Sequence, residues 1–383
     1  MYRVRQQFDE IRLEDVAGTV RAELAKPEIR ALVKPGMRIA VGVGSRGIQN
    51  LYTIVETTVN SLKELGAEPF IVSAMGSHGG GTEEGQREVL AGYGITEERL
   101  GVPVVTTVDT VYLGNCANGR PVWFDRAAYE ADLIVPINRV KLHTDFVGSI
   151  QSGLCKMLVI GLGNHKGCSA VHEEAPEVFA DAIEETARLI LQKAPVGFGI
   201  AILENAYDKT YAVEAVPAEH LVEREKELVQ ISKGNMPYIM LDEADVIVCG
   251  AIGKDISGAG FDPNILGRSS VLKQFVLHIP RYQRLVLCDV TPASHGNGIG
   301  VGLFDVITKK VAEQLDLESM YANAIACNCL GDASVPCTVD DEETAIRVAL
   351  KCCRNIDRDH PRIIRIQNTL HLGEIEVSEA LLD

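Results

Sequence analysis

The chain has 383 residues, 46% of them hydrophobic, which is enough for two domains with ordinary buried cores. A formal charge of −16 argues against nucleic acid or an anionic membrane as partner, since both need a basic footprint. Aromatic residues at 5% leave little on which single-stranded bases could stack.

Residues 1–16, MYRVRQQFDEIRLEDV, hold no apolar core of signal-peptide length, and no apolar run nears a bilayer span. A cytoplasmic location is therefore expected, with no membrane partner. Ten cysteines are scattered without a CxxC…CxxC pattern, so reduced, mostly buried thiols are expected rather than a structural zinc site.

In chain order, residues 14–34 read as helical and Pro35-Gly36 as a turn. Residues 38–43 (RIAVGV) suit a buried parallel strand. Leu51, Ile54, Val55, Val59, Leu62 and Leu65 then share one face of a helix over 48–65, which Gly66 ends. Residues 69–73 read as a strand and 83–91 as a helix. Short β candidates follow at 104–108, 111–113 and 122–124, then a buried strand at 131–137. A helix over 175–193 leads to a strand at 196–203 and a charged surface helix over 219–231. From residue 244 the rhythm restarts, with strands at 245–249, 284–289, 362–366 and 373–377 and helices at 304–315 and 342–352. Alternating strands and helices predict an α/β protein of two domains, each with a mainly parallel, Rossmann-like sheet flanked by helices. The expected domains are 1–235 and 240–383, with an active site in the cleft between them.

Four stretches carry candidate chemistry. Gly42-Val43-Gly44-Ser45-Arg46-Gly47 fits G-x-G-x-x-G, yet Ser73 stands where a dinucleotide fold would place its ribose-binding acid. The stretch reads as a dinucleotide turn, as a plain turn, or as an anion-binding loop in which the Arg46 guanidinium grips a carboxylate. Gly76-Ser77-His78-Gly79-Gly80-Gly81 sets His78 after a strand end, where open α/β sheets bind ligands; the alternative is a simple turn with Thr82 capping the next helix. Residues 138–173 hold three of the nine histidines (His143, His165, His172) and three lysines (Lys141, Lys156, Lys166) among many glycines. Lys156 lies in an apolar run, GLCKMLVIG, where an ammonium must be paired, depressed in pKa or covalently modified. His165 and Lys166 read as glycine-loop residues. In the second domain, Lys254 and the glycine-rich stretch 294–302 follow strand ends.

Taken together these motifs resemble the nickel-dependent lactate racemase family of 2-hydroxyacid racemases and epimerases, over most of residues 35–260. Gly153-Leu154-Cys155-Lys156 followed by His172 carries the likeness most specifically, although the family has Gly-Gly-Arg-Lys there. The resemblance implies a nickel pincer nucleotide, a pyridinium mononucleotide, tethered covalently at Lys156, with His172 as the nickel ligand. It implies His78 and His143 as the two acid/base histidines and Arg46 as the substrate-positioning arginine. Lys254 and Asn264 are neighbourhood matches to the family's second-domain lysine and glutamine. The implied partners are a small 2-hydroxy acid and the enzymes that make the cofactor; the oligomeric state stays open, a homo-oligomer included.

The chemistry needs such a set. The α C–H of a 2-hydroxy acid is weakly acidic, so reversible hydride removal is an alternative to a poorly stabilised carbanion. Two bases would serve the hydroxyls of the two enantiomers, and one neutral imidazole would complete a square-planar nickel site. Two other readings stand beside this one: a nicotinamide-dependent dehydrogenase using Gly42 to Gly47, and a non-catalytic protein that binds cofactor or anion.

Overall fold

The structure is a computed structural model that describes residues 1–44 and 47–382, without the side chain of Ala326. The chain divides into two compact units, Glu10–Asn235 and a second made of Met1–Asp9 with Met236–Asp383.

The first strand, β1 (Tyr2–Arg5), belongs to the second unit, not to the 1–235 stretch in which sequence reasoning put it. It pairs antiparallel with the last strand, Tyr2 opposite Val377 and Arg5 opposite Glu374. Gln6 fastens the join, its Nε2 donating to the Leu372 carbonyl at 2.7 Å. So short an edge strand gives little sequence signal, because only its partner supplies the ladder.

In the Glu10–Asn235 unit the strands are β2 (Arg38–Val43), β3 (Glu68–Ser73), β4 (Val104–Val105), β5 (Thr110–Asn115), β6 (Pro121–Asp125), β7 (Leu133–Arg139), β8 (Phe198–Glu204) and β9 (Thr210–Pro217). Six of them form one sheet in the order β4-β3-β2-β7-β8-β9, parallel except for β9 against β8. β5 and β6 make a separate hairpin. β2 is buried at every residue after Arg38, as a strand covered on both faces must be. The Leu51–Glu64 helix buries Leu51, Ile54, Val55, Val59 and Leu62 against it. Each of those large aliphatic side chains contributes about 1.5–3 kcal/mol by leaving water.

The second unit's sheet has the order β1-β15-β14-β10-β11-β12-β13. Its further strands are β10 (Val246–Cys249), β11 (Arg284–Leu287), β12 (Val306–Thr308), β13 (Cys337–Val339), β14 (Ile363–Ile366) and β15 (Glu374–Val377). β14, β10, β11, β12 and β13 are parallel neighbours. Both units thus have the mainly parallel sheets with flanking helices expected from sequence.

Sequence reasoning expected a helix over 304–315. The structure has β12 first and a short helix, Lys309–Gln314, after it. The β-branched run Val306-Ile307-Thr308 favours the strand, and Thr308 Oγ1 caps the helix by accepting from Val311 N–H. Residues 14–34 similarly give two helices, Val16–Leu24 and Pro27–Arg30, since Pro27 can start a helix but not continue one.

Candidate functional site

The sheet of the first unit reverses direction between β2 and β7. The chain builds outward from β2 through β3 to β4, then returns to β7 and continues outward to β8. At such a switch point the loops leaving the carboxyl ends diverge and open a crevice, where ligands of open α/β sheets bind. The loops after β2, β3 and β7 carry Arg46, His78 and His143. Ser45 and Arg46 lie outside the described residues.

The loop after β7 is closed at its neck by a pair of backbone bonds, Lys141 N–H to Ser152 O at 2.9 Å and Ser152 N–H to Lys141 O at 3.1 Å. Within it His143 is half-buried and fixed on three sides. Its N–H donates to the buried Gln151 Oε1 at 2.7 Å, and its ring stacks on Phe146 with centroids 4.2 Å apart. Asp145 N–H donates to His143 Nδ1 at 3.0 Å, so a neutral ring carries its proton on Nε2. That nitrogen lies 2.5 Å from the Lys156 Nζ. The amine and the imidazole are thus within hydrogen-bonding distance of each other.

Lys156 is half-buried, not buried. It ends the short Leu154–Lys156 turn, which runs straight into a π-helical stretch, Met157–Gly161. Such wide turns inside helices are rare and recur at functional sites. Gly153 O, at the head of the turn, accepts from Asn138 Nδ2 at 2.8 Å.

His172 lies at the end of the Asn164–His172 helix, exposed. His165 and Lys166 are on that helix too, not in a glycine loop as the sequence suggested; both are exposed, and Lys166 Nζ stands 4.9 Å over the Trp123 ring. The His172 Nδ1 is 2.7 Å from the Cys168 carbonyl one turn back. A proton on Nδ1 makes that bond and leaves Nε2 with its lone pair. The Cys168 Sγ sits 3.5 Å from the same nitrogen. The thiol contact raises the His172 pKa, against burial and the nearby Lys156 charge, which lower it. Burial raises the Cys168 pKa, but the bonds from His172 and Ser77 outweigh it and the thiol is held below its ordinary value.

A chain of rings ties these residues together. Phe146 lies 4.8 Å from Phe179, and Phe179 lies 5.1 Å from His172. Phe146 and Phe179 thus link the His143 ring, and Lys156 beside it, to the His172 ring.

His78 is exposed on the loop after β3. The loop leans on the other elements of the site. Gly76 N–H donates to Gly161 O at 3.0 Å, and Ser77 Oγ is 3.8 Å from Cys168 Sγ. Gly76 has φ 61°, and a Cβ there would meet Ile160 O at 2.9 Å, so only glycine lets the loop approach. Gln86 fixes the loop from below. It is fully buried, accepts from Ser73 Oγ at 2.6 Å and donates to Gly76 O at 3.1 Å. Sequence reasoning missed Gln86; its signal is a polar residue on the inward face of the helix that starts at Glu83.

Of the Gly42–Gly47 stretch, Ser45 and Arg46 lie outside the described residues. Gly42 lies inside β2, and the next helix begins only at Leu51. A Cβ on Gly44 would meet Met157 Cε at 3.0 Å, so the face of Gly44 is covered by the residue after Lys156. A pyrophosphate needs the helix N-terminus directly behind the turn and open backbone in front of it.

Among the described residues, no group of three or more His, Cys, Asp or Glu is placed to hold a metal ion. What the described residues offer a metal at this place is a single imidazole of fixed tautomer, His172. No helix of the described residues is long and apolar enough to cross a membrane.

Comparison with known proteins adds to this geometry. Residues 6–181 match the family described as the lactate racemase N-terminal domain. Among solved structures, the chain is similar to the lactate racemase apoprotein from Thermoanaerobacterium thermosaccharolyticum. That match has a TM-score of 0.58 at 12% identity and covers 96% of this chain and 94% of that one. A Thermotoga maritima protein solved by structural genomics matches with a TM-score of 0.46 at 16% identity. It covers 62% of this chain, which in turn spans 63% of that protein's length. At these identities the likeness concerns the fold. No curated protein sequence matches the chain.

Proposed function

We propose, from the premise that the chain belongs to the lactate racemase family through residues 6–181, that it is an isomerase, a racemase or epimerase of 2-hydroxy acids. Lys156 is the tether of a nickel pincer nucleotide and His172 is the protein's ligand to its nickel. The observation that supports this reading is the approach of the Lys156 Nζ to the His143 Nε2 at 2.5 Å, with His172 joined to them through Phe146 and Phe179.

When bound, the cofactor would supply an acceptor for the hydride of the substrate's α carbon. The chain supplies position and proton handling. His172, with Nδ1–H held on the Cys168 carbonyl, offers Nε2 in the neutral form a metal takes. His143 faces the amine before the tether forms. Acylation removes the basicity of Lys156 Nζ, and His143 Nε2 is then available to a substrate hydroxyl. With Nδ1 accepting from the Asp145 N–H, the neutral ring presents Nε2–H and acts as a proton donor; taking a hydroxyl proton at Nε2 requires the Nδ1–H tautomer and release of that contact. His78, on the loop after β3, serves the hydroxyl of the opposite enantiomer. Arg46, expected from sequence to clamp the carboxylate, completes the assignment while the planar keto acid turns over.

The test is to produce the chain together with cofactor-making enzymes and incubate it with enantiopure hydroxy acids. Loss of optical purity for at least one substrate, strongly slowed by His143→Ala, is expected. Retention of optical purity across a broad panel, by a chain shown to carry the cofactor, would sink the assignment.

A further inference from the structure

The Leu221–Asn235 helix reads from sequence as a charged surface helix, yet one of its carboxyls is wholly buried. Glu225 has 0% exposure. It lies with Leu221, Val222, Leu228, Val229 and Ser232, all buried and at the spacing of an inward helical face. Arg224 and Lys226 on either side turn away, Arg224 to Glu214 and Lys226 to Glu184. Burying a carboxyl without a cation is costly, so what Glu225 faces is informative.

It faces the turn that carries Lys156. The Cys155 N–H donates to Glu225 Oε2 at 2.8 Å. The Leu154 N–H and the Cys155 thiol approach the same carboxyl, while Oε1 completes no hydrogen bond among the described residues. Gly153 makes the approach possible, because a Cβ there would stand 2.5 Å from the carboxyl carbon. The turn is thus gripped from two directions, by Asn138 at the Gly153 carbonyl and by Glu225 at the amides that follow.

We propose that Glu225 is the positioning residue for Lys156: its buried carboxyl holds the amides at the head of the 154–156 turn and so sets where the lysine amine stands. This deepens the functional reading above and takes from it only that Lys156 is the tether. Burial pushes Glu225 up to about 7, with the Cys155 and Leu154 N–H groups and the Cys155 thiol pulling the other way. The grip therefore tightens as pH rises through neutrality and the carboxyl ionises. Of the groups around it, Cys155 is held as the thiol, by burial first and by Glu225 second. Glu184 and Arg188 of the Phe179–Lys193 helix act on Cys155 in opposite directions. Glu214 is engaged by Arg224, and Glu219 by His220 at the surface.

The experiment uses the full chain without cofactor. Acetylation by N-hydroxysulfosuccinimide acetate is followed at each lysine by peptide mass spectrometry, from about pH 5.5 to about pH 8.5 to bracket the carboxyl's titration. In the wild type, Lys156 should show an inflection near pH 7 that exposed Lys309 lacks. Glu225→Gln and Glu225→Leu should lose that inflection. At the alkaline end both should slow Lys156 about tenfold, as expected for losing one hydrogen bond's worth of positioning, and leave Lys309 unchanged. Glutamine keeps the shape and one acceptor, so the Gln variant guards against loss through misfolding. A Lys156 profile identical in wild type and both variants overturns the proposal, as does a wild-type Lys156 that does not acetylate or that follows Lys309. A loaded wild type that racemises nothing, with the labelling pattern intact, would sink the functional reading and leave this assignment standing.

Discussion

The carboxyl edges of the two sheets are built on the same plan and used differently. Each sheet is mainly parallel, and each reverses order at one point, between β2 and β7 in one unit and between β10 and β14 in the other. In the first, the loops at that edge set a lysine amine against an imidazole and bring a second imidazole within two aromatic rings of them. In the second, polar groups are engaged with each other. Lys254 Nζ donates to Gly258 O at 2.7 Å and to Asn323, and Lys254 N–H donates to Ser294 Oγ at 2.9 Å. Thr291 Oγ1 bonds Asp255 and lies 3.0 Å from Ser294 Oγ. Topology chooses where a site can form, and the side chains decide whether the loops there become reactive or rigid.

Lys156→Ala should break the contrast most completely. With no amine there is no tether, and chain produced with the cofactor-making enzymes should keep no added mass and no racemase activity. His143→Ala should keep the tether while lowering turnover by about 10²–10⁴-fold, the usual contribution of a positioned acid or base. Optical rotation of an enantiopure substrate measures the loss.

The next largest effect concerns pH. Glu225 has its folded pKa raised from 4.5 to about 7, so the folded state binds the proton more tightly than the unfolded chain. Its contribution to stability is fullest below pH 4.5 and falls as pH rises towards 7, by up to about 3 kcal/mol at about 1.4 kcal/mol per pKa unit. Glu225→Gln should flatten that slope, and urea unfolding on the two sides of the window would show it.

Gly153→Ala should follow. The new Cβ meets the Glu225 carboxyl, and overpacking of this kind costs about 1–3 kcal/mol. Lys254→Ala should do least, about 1 kcal/mol for the bonds lost to the Gly258 carbonyl and Asn323, with Lys156 acetylation unchanged. A large effect of Lys254→Ala on Lys156 labelling would erase the contrast between the two edges.

Much of the fold was legible in the sequence because buried parallel strands and one-sided helices leave clear patterns. RIAVGV at 38–43 and the 48–65 helix are examples. The edge strands β1, β9 and β13 were not seen, since their ladders depend on distant partners. At the site, His143 and Lys156 were legible as polar residues set among glycine and apolar neighbours. That they touch was not, because the contact needs the 140–153 loop to close on itself. Glu225 was hidden in plain view: EREKELVQ looks uniformly solvated until the spacing of Leu221, Leu228 and Ser232 puts one of its acids on the buried stripe. Gln86 was missed for the same reason.

The central claim is that Lys156 is an amine kept for acylation. It is tested most directly by mapping the mass of the peptide that contains Lys156, after producing the chain with and without the cofactor-making enzymes. An added mass on Lys156 only in the first sample, absent from Lys141 and Lys166, is the result this account requires. An unmodified Lys156 in a chain that nevertheless racemises a 2-hydroxy acid would contradict it.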